Sequence, residues 1–215
     1  EPKQGQVRVK VAFAGINFAD LLMRLGFYQP RPPYPFTPGY EVSGTIDALG
    51  EGESHFTIGQ RVVAAMSTGG QSSHVVVDIQ RVLPLPEEIS LEAAAAMPVT
   101  YLTAHHMLHH LGHLDENESV LIHGGAGGVG TAALQLCQWA GVSKVWATAS
   151  GSKSDIIESY GGRAIDRHNQ DFVSIIKKET DNEGVDHILD PIGGDNLTRS
   201  LSVLKEGGRL YTYGM

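Results

Sequence analysis

Seven consecutive residues, Gly124-Gly125-Ala126-Gly127-Gly128-Val129-Gly130, carry the most specific chemical signal in the chain. They stand directly between a short apolar run at 119–123 and a helical pattern over 128–140. Gly125, Gly127 and Gly130 have the spacing that lets a chain turn tightly, approach a pyrophosphate and pack a helix on its sheet. N–H groups left open at the start of that helix then face the phosphates. A tight strand-to-helix turn also selects glycine, so the triplet gains its meaning from the elements on either side. Together they predict a dinucleotide-binding loop.

The segment after the next strand addresses which dinucleotide. An NAD-type site places Asp or Glu roughly 20 residues on, at the end of the second strand, to hold the ribose 2′-hydroxyl. Here the sequence reads Thr148-Ala149-Ser150-Gly151-Ser152-Lys153, with hydroxyls and a cation but no acid. That set suits a 2′-phosphate, with Ser150, Lys153 and, after the third strand, Arg167 as its partners. The alternative is that Ser152 caps a helix with Asp155 behind it, and that Lys153 is a solvated surface charge. The expectation is NADPH.

The elements that must position these groups fall into two rhythms. Up to residue 86 the chain reads as β-rich, with Val7, Val9 and Val11 alternating with Arg8 and Lys10. Val42, Gly44 and Ile46 repeat the alternation, and short strands are expected at 61–64 and 74–77. Residues 17–25 read as a helix that stops at Gly26 and runs into Pro30, Pro32, Pro33, Pro35 and Pro38, an extended connection. Ser90 is a good N-cap, Pro98 breaks that helix, and a second is expected to reach Leu111. Beyond Asn117 strands at 119–123, 144–149, 163–165, 185–189 and 209–213 alternate with helices at 128–140, 154–160, 172–178 and 196–204. Such alternation implies a parallel sheet with helical crossovers. The expected fold is α/β: a β-rich domain over 1–95 and a doubly wound nucleotide-binding domain over 96–215.

Composition narrows the classes. A chain of 215 residues with 41% hydrophobic residues can bury a sizeable core. A formal net charge of −8 without a basic patch argues against nucleic acid as the main partner. The single cysteine, Cys137, excludes an intrachain disulfide framework, and its place in an apolar helix reads as a buried, inert thiol. No stretch is long and apolar enough to span a bilayer, and a cytoplasmic protein is expected.

Five motifs occur in one order: Gly15-Ile16-Asn17-Phe18-Ala19-Asp20; Pro38-Gly39-Tyr40-Glu41; Ala93-Ala94-Ala95 with Thr100 and Thr103-Ala104; the glycine loop; and Asp190-Pro191-Ile192-Gly193-Gly194. That series resembles the zinc-free quinone oxidoreductase branch of the medium-chain dehydrogenase/reductase superfamily over essentially the whole chain. Within it, the Asp166-Arg167 pair suits the homologues of the vesicle amine transport protein. The resemblance implies a GroES-like substrate domain joined to a Rossmann domain. Zinc alcohol dehydrogenases of the superfamily carry a ligand cysteine near Asn17 and Gly-His-Glu where this chain has Gly39-Tyr40-Glu41, so no zinc site is expected. The family is longer at both ends, which suggests a truncated chain and a sheet edge open to a partner.

The resemblance also implies a chemistry. NADPH passes hydride to a quinone or an α,β-unsaturated carbonyl, and the protein orients, excludes water and polarises the acceptor oxygen. Asn17 and Thr100 lie near the nicotinamide and its ribose, Gly214 contacts the cofactor through its backbone, and Asp20 organises the same wall. Tyr28 sits over the acceptor and can donate a proton. Asn17 as a plain helix cap, Tyr28 as packing against the prolines, and protonation by solvent are the competing readings. An enoyl reductase module, and a non-catalytic NADPH-binding vesicle adaptor, are the alternatives for the whole protein. A homodimer is implied. His105, His106, His109, His110 and His113 have helical i, i+3 and i, i+4 spacing, but are expected to form a solvated or subunit-facing surface rather than a metal site.

Overall fold

The computed structural model describes residues 1–29 and 31–214, so Pro30 of the proline-rich connection lies outside it. Two units are distinguished, Glu1–Val99 and Thr100–Met215.

The first unit is built on an antiparallel sheet. Its strands are β1 (Gln6–Ala14), β2 (Glu41–Leu49), β3 (Arg61–Ala65), β4 (His74–Asp78) and β5 (Val82–Pro84), in the order β4-β1-β2-β3-β5. The alternation read in β1 is real: Val7 and Val9 are fully buried and pack with Val42, Ile46 and Val62. Helix α1 (Phe18–Arg24) starts after Asn17 and stops at Gly26, whose φ of +76° closes the last turn. Helix α2 (Leu91–Ala94) is capped by Ser90, whose side chain accepts the N–H of Ala93.

In the second unit the strands are parallel: β6 (Ser119–His123), β7 (Lys144–Ala149), β8 (Arg163–Asp166), β9 (Val185–Asp190) and β10 (Leu204–Thr212). Read from β8, the order β8-β7-β6-β9-β10 winds outward in both directions from β6. All five residues of β6 are buried, as a central parallel strand covered on both faces requires. Val120 and Ile122 pack with Ala132, Ala133 and Cys137 of helix α4 (Gly128–Trp139). Leu121, between them, turns to the other face and meets Phe172 and Ile176 of helix α6 (Phe172–Glu179). That alternation is what places helices on both sides of the sheet.

Three local expectations need correction. Pro98 does not merely break a helix but opens the next, α3 (Pro98–His105), where its missing N–H costs nothing. The following turn, residues 106–111, is π-helical. Helix α7 (Gly194–Leu201) ends before Leu204, which already belongs to β10. The buried face of α4 is centred on Gly130, Ala133, Leu134 and Cys137, with Val129, Leu136 and Ala140 at its margin. Helix α5 (Ser154–Ser159) falls where it was expected.

Candidate functional site

The glycine loop closes β6 onto α4 at van der Waals contact. A β-carbon on Gly125 would stand 2.5 Å from the Cβ of Ala147, and one on Gly130 would stand 2.7 Å from the Cα of Gly125. Gly124 needs its φ of +68°, and its carbonyl accepts the N–H of Gly127 at 2.9 Å. Gly128, the first residue of α4, faces Thr100, whose methyl group would lie 2.9 Å from a β-carbon there. Thr100 is thus packed on the loop. Backbone bulk is stripped from this turn just where the N–H groups of Gly128, Val129 and Gly130, in the first turn of a twelve-residue helix, are left open by helix geometry. The residues present fit a dinucleotide pyrophosphate.

Beside the loop, Ser150 follows β7 and leads into a short turn, Gly151–Lys153. The N–H of Arg167 donates to Ala149 O at 2.9 Å, which sets Arg167 next to Ser150. Ser150, Lys153 and Arg167 therefore come from adjoining stretches of backbone. Ser152 does not cap a helix; Lys153 occupies the position before α5. The structure adds an acid that the linear reading missed. Asp166, at the end of β8, brings Oδ2 within 2.8 Å of where a β-carbon on Gly151 would lie. Its carboxyl is held below the usual range, first by the His168 N–H and then by the Asn169 side chain, bonds of 3.1 and 2.6 Å. Gly214, the other cofactor candidate, follows β10 with a φ of +71° and open space around its Cα.

Behind the loop lies His123, the last residue of β6 and 1% exposed. Its Nδ1 is 3.1 Å from Thr148 Oγ1 and its Nε2 3.0 Å from Ser200 Oγ. Burial drives its pKa down to about 4, against a smaller upward pull from Asp190. His123 and Arg167 both line a cavity of about 230 Å³ with Thr148, Asn196 and Arg199. Asp190 itself receives the N–H groups of Ile192 and Gly193 and the amide of Asn196, which shapes the Asp190-Pro191-Ile192-Gly193-Gly194 turn.

In the first unit a second constellation surrounds Asn17. Its backbone N–H donates to Asp20 Oδ2 at 2.8 Å, while Asp20 Oδ1 accepts the N–H of Gly39 at 2.8 Å. Asp20 is 2% exposed, so both oxygens anchor backbone and neither is presented to a ligand. The Asn17 side-chain Nδ2 donates to Glu41 Oε1 at 2.7 Å, and Glu41 Oε2 accepts the N–H of Val99 at 2.8 Å. Burial raises the Glu41 pKa against these bonds. The role of Glu41 was not read from the sequence, although its Gly39-Tyr40-Glu41 context marked the position. Tyr28 meets Tyr40 edge to face at 6.2 Å, and the two line a cavity of about 460 Å³ with Met23, Arg31, Ser67 and Thr68.

The histidine stretch places His105 over His109 and His106 over His110, with ring centroids 5.0 and 4.9 Å apart. Among the described residues, no group of three or more His, Cys, Asp or Glu is arranged to hold a metal ion. The most spacious cavity described, about 710 Å³, lies in the second unit between this stretch and the end of β10, lined by Leu102, Met107, Tyr211 and Tyr213. No helix among the described residues is long and apolar enough to cross a membrane.

A β-rich unit of this topology and a doubly wound unit with a stripped glycine loop define a two-domain, dinucleotide-type oxidoreductase architecture. Residues 3–87 match the family described as alcohol dehydrogenase GroES-like domain, and residues 128–215 that described as zinc-binding dehydrogenase. The synaptic vesicle membrane protein VAT-1 homolog of Danio rerio is 43% identical over 99% of this chain and 44% of its own length. Human quinone oxidoreductase is 33% identical over 99% of this chain and 65% of its own. The crystal structure of CurK enoyl reductase superposes with a TM-score of 0.93 at 36% identity, over 100% of this chain and 67% of that one. The chain belongs to the quinone oxidoreductase branch of the medium-chain dehydrogenase/reductase superfamily, the zinc-free branch. It spans about half the length of the VAT-1 relatives it matches.

Proposed function

We propose that the protein is an NADPH-dependent reductase of quinones or α,β-unsaturated carbonyls that works without zinc. The observation that carries this reading is the glycine loop, where β-carbons on Gly125, Gly128 and Gly130 would collide with Ala147, Thr100 and Gly125. The residues Gly124 to Gly130 hold the pyrophosphate through backbone N–H groups. Ser150, Lys153 and Arg167 receive the 2′-phosphate; Thr100, Asn17 and the Gly214 backbone orient the nicotinamide end. Bound NADPH supplies the hydride, and everything else is orientation, water exclusion and polarisation by the chain. Tyr28 donates to the acceptor oxygen from the cavity it shares with Tyr40. The quinone oxidoreductase and CurK enoyl reductase likenesses support the two ends of this substrate class. A homodimer and a cytoplasmic location complete the reading.

A second reading, a non-catalytic NADPH-binding adaptor, is favoured by the name of the synaptic vesicle VAT-1 relatives alone. Oxidation of NADPH, followed by absorbance against a panel of quinones and enones with NADH in parallel, separates the two. Turnover supports the reductase. Tight binding without turnover selects the adaptor, and absence of binding sinks both.

A further inference from the structure

The cavity of about 460 Å³ that Tyr28 and Tyr40 share in the first unit carries one charge on its wall, Arg31. Met23, Pro33 and the two edge-to-face rings make the rest of that wall largely apolar. The Arg31 guanidinium is laid over the end of α1, since a β-carbon on Gly26 would stand 3.7 Å from its Cζ. Among the described residues it makes no ion pair and no hydrogen bond, and neither do the side chains of Ser67 and Thr68 on the same wall. The acids nearest to it in sequence are Asp20 and Glu41. Both are 2% exposed, both are occupied by N–H donors, and neither lines the cavity. In a chain with a net charge of −8, this apolar hollow therefore opens onto an uncompensated cation and two hydroxyls.

A guanidinium offers only donors, in a fork that matches the two oxygens of a carboxylate, and each hydroxyl can add an O–H donor. A pocket of this kind takes a planar carbon frame on its apolar walls and is made selective by its few polar groups. We infer that Arg31, with Ser67 and Thr68, determines specificity by receiving an anionic group of the acceptor, so that the preferred acceptors are planar conjugated carbonyl compounds carrying a carboxylate or sulfonate. This rests on the reductase reading above and adds the charge of the acceptor to it. A cleft of one sign also raises the local concentration of an oppositely charged substrate, which an acidic protein otherwise repels. An arginine that is only a solvated surface charge would treat a carboxylate and a neutral amide of the same shape alike.

The test is calorimetric binding of 2-naphthoate and its neutral isostere 2-naphthamide to the whole protein, without cofactor and at low salt. Wild-type protein should bind naphthoate about tenfold more tightly than the amide, the effect of one charge-assisted pair at a partly exposed site. Arg31→Ala should bind both equally, and Arg31→Lys, which keeps the charge but not the fork, should fall between. NADPH affinity, read by nicotinamide fluorescence, should be the same in all three proteins. Turnover is the second readout: kcat/KM for the para-carboxylate of benzalacetone, relative to benzalacetone itself, should drop about tenfold in Arg31→Ala, through KM. Equal binding of naphthoate and naphthamide by the wild type, or a preference that survives in Arg31→Ala, overturns the inference. A matching loss of NADPH affinity in Arg31→Ala overturns it too, by giving Arg31 to the cofactor. Wild-type protein that discriminates in calorimetry but reduces neither acceptor overturns the reductase reading instead, and the calorimetry tells the two failures apart.

Discussion

The carboxylate of Asp166 lies against the backbone of Gly151, with Oδ2 within 2.8 Å of where a β-carbon on Gly151 would project. An acid from β8 thus reaches the turn that, read along β7 alone, carries only hydroxyls and a cation. Its charge repels a 2′-phosphate, and Lys153 and Arg167 attract one. If these cations hold the phosphate, Lys153→Ala and Arg167→Ala should each weaken NADPH binding by roughly 10-fold or more while leaving NADH nearly unchanged. Asp166→Asn should shift the preference further toward NADPH. Dissociation constants for both cofactors decide it; a variant Asp166→Asn that gains NADH affinity instead would reverse the assignment.

Gly130 and Gly125 touch, and neither has space for a side chain. Gly130→Ala forces its methyl group onto the Gly124 carbonyl and the Gly125 Cα, 2.7 Å from the latter. Overpacking of this kind costs about 1–3 kcal/mol, and here the displaced atoms are the phosphate-facing backbone itself. The variant should melt at lower temperature and lose NADPH binding by more than the stability loss explains. Calorimetric melting with and without NADPH separates the two effects. An unchanged melting shift on adding NADPH would show that the loop does not hold the cofactor.

His123 makes stability depend on pH. Its folded pKa of about 4 lies below the ordinary value of 6.5, because burial disfavours the charged ring. The unfolded chain therefore binds the proton more readily than the folded one. The neutral ring's contribution is complete above pH 6.5 and is lost as pH falls from there toward 4. The shift corresponds to ~3 kcal/mol at most. Denaturant unfolding at pH 7 and pH 4.5 should show this drop, and His123→Asn should flatten it. An equal drop in the variant would place the acid sensitivity elsewhere.

What the sequence revealed, and what it hid, follows from the range of the forces involved. Strand alternation in β1, the buried strand β6, the glycine loop and the stop at Gly26 are local, and each is where the pattern places it. Contacts that join distant segments were not legible. Glu41 meets Asn17 across 24 residues, Asp166 meets Gly151 across helix α5 and strand β8, and His123 meets Ser200 across 77. His187 is another such case: a histidine in a strand, fully buried, held between Tyr211 and Glu118 at 3.1 and 2.9 Å. The end of α7 was missed for a different reason. Leu201, Val203 and Leu204 read as one helical run, but Leu204 pairs with Val185 in the sheet. Tertiary pairing overrides the helical period there.

Cys137 tests the core directly. It is fully buried against Val120 and Ile122, and burial pushes its thiol up to about 12. The thiolate is the reactive species, so at pH 8 the native protein should react with a thiol reagent only as fast as it opens. Denaturant should restore one equivalent of rapid reaction. Fast labelling of the native protein would contradict the packing of α4 on β6.

Tyr28 and Tyr40 meet edge to face in the first unit's cavity. Burial, and after it Tyr28, push the Tyr40 hydroxyl up to about 12, so it keeps its proton throughout the working range. Tyr28 and Tyr40 line the same cavity, and in the proposed reading the Tyr28 O–H turns toward an acceptor oxygen there. Tyr28→Phe removes that donor without changing the ring, and kcat for a quinone should fall by about 100-fold if the proton comes from Tyr28. Tyr40→Phe should cost less, since it only withdraws a hydrogen bond from Tyr28, on the order of 10-fold. The measurement is steady-state kcat and KM for both variants at saturating NADPH. A fall in kcat with KM unchanged assigns proton donation to Tyr28. A change in KM alone makes the tyrosines a binding surface, and an unchanged kcat in Tyr28→Phe leaves the proton to solvent.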